Sequence, residues 1–70
     1  MTERTGTEWI AAFAAGLGVE PPTDEVVEQL LDLAGIAAHS SERIAAPIAC
    51  WLIGRAGLDP LAAQDLAQNT

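Results

Sequence analysis

The sequence contains no lysine and no tyrosine, one cysteine, one histidine, and no uncharged apolar run longer than the 11 residues of 44–54. Each scarcity removes a class of function. Three arginines, Arg4, Arg43 and Arg55, face ten acidic residues, giving a net charge of −7. The summed field repels phosphate backbones and anionic lipid, so nucleic acid and acidic membranes are excluded as expected partners. The lone Cys50 has no internal disulfide partner. It sits in the most apolar stretch, as a small core hydrophobe does in a reducing compartment. An 11-residue run is too short to span a bilayer. Glu3, Arg4 and Glu8 precede a short apolar segment, without the basic region and long apolar core of a signal peptide. The expectation is a soluble cytoplasmic protein.

Strands are missing too. No segment alternates with period two, and the aromatics are limited to Trp9, Phe13 and Trp51. What is present is alanine, leucine and isoleucine in a chain that is 50% hydrophobic, a composition suited to close-packed helices. Seventy residues make one domain, 1–70, near the lower size at which a chain folds without metals, disulfides or partners. Self-association therefore belongs among the expectations. The fold class expected is all-α, a small bundle of three to four helices.

Taken in order, Thr5 and Glu8 have capping-box spacing, with Thr7 an alternative cap; Trp9, Ile10, Phe13 and Leu17 come next at helical spacing, and Gly16 and Gly18 supply a stop. Pro21 and Pro22 form a stiff connection. Thr23 caps a second helix whose first turn holds Asp24 and Glu25. Its apolar face reads Val27, Leu30, Leu31, Ala34 and Ala38, and its solvated face Glu25, Glu28, Gln29 and Asp32. Gly35 in its interior implies a close helix crossing.

His39, Ser40 and Ser41 then break the pattern, and either serine can cap the third helix. The stretch 44–58 is apolar on every face except near Arg55, which marks it as the central element. Pro47 leaves two arrangements, a helix bent near Ala46 or a short turn with Pro47 in the first turn of the helix after it. The first is favoured. Asp59 and Pro60 start a short last helix anchored by Leu61 and Leu66.

No group of residues spells out a chemistry. Glu25, Glu28 and Asp32 share a helix face with nothing apolar around them to shift a pKa, which is the pattern of a solvated surface. A metal site is not expected, and no cofactor motif is present. His39 suits the negative end of a helix dipole, and Ser40 and Ser41 are explained as caps. An apolar setting raises the thiol pKa of Cys50 and makes it inert as a nucleophile. Arg55 is expected to pair with a carboxylate such as Asp59. Trp51 and Trp9, with Ile48 and Phe13, read first as core, with a partner-facing surface kept open because an all-apolar helix is hard to cover in so small a chain.

Glu8-Trp9-Ile10 with Leu17-Gly18, residues 27–38 ending in Ala38-His39, then Arg43, Ala46-Pro47 and Leu52-Ile53-Gly54 together resemble a small uncharacterised bacterial helical domain. In that family the domain occurs alone or fused to nucleotidyltransferase-like proteins linked to guanylylation of the molybdenum cofactor. No catalytic residue comes with the resemblance, which covers residues 8–56. It implies an association with molybdenum-cofactor biosynthesis and not an activity.

The functional expectation is a non-catalytic interaction module that binds a protein partner or itself as a homodimer, through a face including Trp51, Ile48 and Arg55. The alternative is a small domain that grips an anionic ligand between His39 and Arg43.

Overall fold

The computed structural model describes residues 3–70, which form α1 (Gly6–Leu17), α2 (Asp24–Ser40), α3 (Ala45–Ala56) and α4 (Pro60–Gln68), with no strand among the described residues. The all-α class is as expected. Three of the four starts come directly from local chemistry. Thr5 Oγ1 accepts the Glu8 backbone N–H at 3.1 Å while Glu8 Oε1 accepts the Thr5 N–H at 2.8 Å, a complete capping box. Thr23 Oγ1 accepts the Val26 N–H at 3.2 Å, and Asp59 Oδ2 accepts from Leu61 and Ala62 with Pro60 at the first helical position.

Gly18 ends α1 with φ 76°, and the Val19 N–H folds back onto the Ala14 carbonyl at 3.0 Å. Only that residue needs the left-handed conformation, so Gly16 stays inside the helix and contributes no stop. Gly57, φ 70°, closes α3 in the same way, with the Leu58 N–H on the Ile53 carbonyl.

The start of α3 corrects two expectations. Ser41 Oγ donates to the Ala37 carbonyl at 2.8 Å, so it secures the end of α2 and neither serine caps the next helix. Residues 42–44 instead form a tight turn, in which Ala45 and Ala46 N–H groups reach the carbonyls of Glu42 and Arg43. Of the two arrangements open to Pro47, the one with proline in the first turn is found. The missing N–H there falls among donors with no intrahelical partner anyway, so the helix runs on without losing a bond.

The helix packed on both sides is α2 rather than α3. It packs against α3 and against α4, and α1 belongs to neither packed pair. Leu33, 2% exposed, and Ala63, also 2%, are the heart of a very small core. A single-stripe reading of α2 presupposes one neighbour. With two, the covered arc widens to take in Leu33, Ile36 and Ala37, and Leu31 is left facing outward. Gln29, assigned to the solvated face, is half-buried against α4. A Cβ built on Gly35 meets nothing within 4 Å, so the expected close crossing is absent.

The molecule measures 42 × 25 × 18 Å. Its long axis exceeds the roughly 26 Å of α2 itself, in keeping with an α1 that belongs to neither packed pair.

Candidate protein-interaction site

Two apolar surfaces stand open. The first is the outer stripe of α3: Ile44, then Ile48, then Trp51 with Leu52 recur about one turn apart, and all are exposed, Trp51 at 63%. The opposite side of the helix, with Ala45, Ala49, Cys50 and Ile53, is half-buried. Arg55 closes the stripe at the C-terminal turn, where its charge complements the helix dipole. Of the residues expected to meet a partner, Ile48, Trp51 and Arg55 therefore share one accessible face. The expected pairing of Arg55 with Asp59 meets a competitor, since the Asp59 carboxylate is engaged in capping α4.

The second surface is a groove of about 480 Å³ between α3 and α4, with α2 as its floor. Leu33, Ala37 and Ala63 lie at the bottom, Ile48 and Leu52 on one wall and Leu66 on the other. None of its lining residues is charged. Two of its three hydroxyls are already engaged: Ser41 donates to Ala37, and Thr70 Oγ1 to the Leu66 carbonyl at 2.8 Å. Nothing in the residue types singled this groove out. Ala45 and Ala49, and Ala63 and Ala67, recur at a spacing of four, the one signal available, and alanine at that spacing is equally a plain helix former.

The aromatic side chains of α1 are exposed as well. Trp9 and Phe13, both 55% exposed, stack with ring centroids 5.0 Å apart at 23°. Reading Trp9, Phe13 and Trp51 as core is overturned: α1 has no packed partner helix, and Trp51 lies on the side of α3 away from α2.

His39 is exposed in the last turn of α2 and shares a shallow cleft with Asp32, Gln64 and Gln68, while Arg43 sits in the following turn and does not line that cleft. A carboxylate beside His39 disfavours an anion there. Among the described residues no three side chains of histidine, cysteine, aspartate or glutamate converge as metal ligands. Glu8 is held below the usual carboxylate range by the Thr5 backbone N–H and then by the Thr5 hydroxyl. That shift belongs to a helix cap. Among the described residues no helix is long and apolar enough to cross a membrane.

A family model described as a domain of unknown function, DUF6457, matches residues 1–69. Neither a curated protein nor a solved structure matches the chain.

Proposed function

The chain belongs to the DUF6457 family, a domain of unknown function, and from that premise we propose that it is a non-catalytic, cytoplasmic interaction module. The observation that carries the reading is the outer stripe of α3, in which Ile44, Ile48 and Trp51 are all more than half exposed. Large aromatic and branched side chains on one helix face are what helix-mediated recognition uses, with tryptophan and arginine the residue types that most often carry the binding energy. The partner surface is apolar. Residues around the stripe add little charge beyond Arg55, while the rest of the chain is acidic and discourages nucleic acid.

For the partner's identity, support comes from the resemblance alone. It points to the nucleotidyltransferase of molybdenum-cofactor guanylylation, to which the module would be an accessory. The experiment is a calorimetric titration of the purified chain and its variants against such a nucleotidyltransferase, with Trp51 fluorescence in a Trp9→Phe background as a second readout for the unsubstituted stripe. A blue shift that saturates supports the reading, and Trp51→Ala should weaken binding at least tenfold, as expected of a central aromatic. Unchanged affinity on replacing both Ile48 and Trp51 by aspartate would refute the assignment of this stripe.

A further inference from the structure

Resting on the reading of the domain as an interaction module, we propose that the groove between α3 and α4 receives α1 of a second copy of this chain, the two copies exchanging their first helices. Both halves of such a contact are open in one molecule, where Ala14 is the buried residue of α1 and the large side chains Trp9, Phe13 and Leu17 are not. After Glu8, α1 carries no charged residue, and its apolar side chains extend around the helix; a helix of that kind is not stable as a solvated arm. Trp9, Phe13 and Leu17 stand on one stripe and are exposed. The groove presents alanines, which leave holes where large side chains fit.

The dimensions agree. Trp9 to Leu17 is nine residues, about 12 Å of helix, and the part of α2 that floors the groove, Leu33 to Ser40, is eight residues, about 10.5 Å. Charge agrees as well. Seating α1 beyond Glu8 in an uncharged groove buries no ion, which matters for two chains that each carry −7.

The same chain's α1 is badly placed to fill its own groove. Folding back through residues 18–23 sets Leu17 beside the first turn of α2, and Trp9, about 12 Å further on, then draws level with Leu33, where the groove only begins. The Pro21-Pro22 connection is stiff and extended, the kind of short hinge that favours exchange between copies.

Surface area sets the scale of the interface. A folded 7.3 kDa monomer exposes about 4,200 Å². This chain exposes 5662 Å², an excess of about 1,500 Å². Covering that on both copies removes about 3,000 Å², within the range of obligate homodimers.

The test is light scattering on the full chain across a dilution series, with an arm variant, Phe13→Asp, and a groove variant, Leu66→Glu. Ala67→Glu on the same wall serves if the latter does not fold by circular dichroism. The wild type is expected at twice the 7.3 kDa chain mass and each variant at the single mass. Mixing the two variants should restore a dimer, because one has an intact groove and the other an intact arm. A monomeric wild type, a dimer indifferent to Phe13→Asp, or a mixture that stays monomeric each overturns the exchange. Loss of nucleotidyltransferase binding in Trp51→Ala is a separate readout, since Trp51, unlike Ile48 and Leu52, does not line the groove, and this residue tells the failure of one proposal from that of the other.

Discussion

Gln64 in α4 donates from Nε2 to the backbone carbonyl of Gln29 in α2 at 2.9 Å, across 35 residues of sequence and in a half-buried setting. The same carbonyl faces the Leu33 N–H in the helical ladder, so the amide uses its second lone pair and fixes the register of α4 on its neighbour. Gln64→Ala removes the donor without orphaning the carbonyl. The expected loss is about 1 kcal/mol. At matched protein concentration this lowers the thermal midpoint by roughly 4–8 °C in a domain of this size, read by far-ultraviolet circular dichroism.

Two glycines should respond in opposite directions. Gly35 lies inside α2 with helical backbone and open space where a Cβ would go, so Gly35→Ala should stabilise the chain by about 0.5–1 kcal/mol. Gly18 has φ 76°, and Gly18→Ala forces a left-handed alanine at a cost of about 1–2 kcal/mol. Urea titrations of the two variants should move the midpoint to either side of the wild type.

Acid should loosen α1 at its start. Because Glu8 is held below the ordinary carboxylate range when α1 is folded, its contribution is present above the ordinary value and is lost as pH falls through the lowered one. Carbon chemical shifts of residues 6–10 should drift toward coil values over that acidic window. In Glu8→Gln the amide oxygen still accepts the Thr5 N–H, so the helix should persist at neutral pH and its dependence on acid should vanish.

Asp59 supplies a fourth check. Its carboxylate accepts two backbone N–H groups, at 3.0 and 3.2 Å. Asp59→Ala should destabilise α4 by about 1 kcal/mol, and Asp59→Asn, which retains an acceptor oxygen, by much less. Loss of signal from residues 60–68 ahead of the remainder in a thermal series by nuclear magnetic resonance is the expected signature.

The helix starts at Thr5, Thr23 and Asp59 were legible because each depends on bonds spanning two or three residues. The apolar character of α3 was legible too, but its place was not. Hydrophobicity says that a surface wants cover and does not say which molecule supplies it, so a helix read as the centre proves to have an open outer face bearing Trp51. The same limit applies to α2, whose two packing partners are set by pairings as distant as Gln29 with Gln64. Ser41 could cap forward or bond backward, and the choice depends on where the chain turns at residues 42–44. The groove escaped notice because alanine declares helix and leaves the space between helices unstated.

Since α3 and α4 each lean on α2 and do not form a packed pair of their own, either can come away while the other stays seated. Amide hydrogens should then exchange with solvent in graded tiers. Those of α2 around Leu33 would be slowest, α3 and α4 would open by separate routes, and α1 in an isolated copy would exchange fastest, its protection rising only when its apolar face is covered.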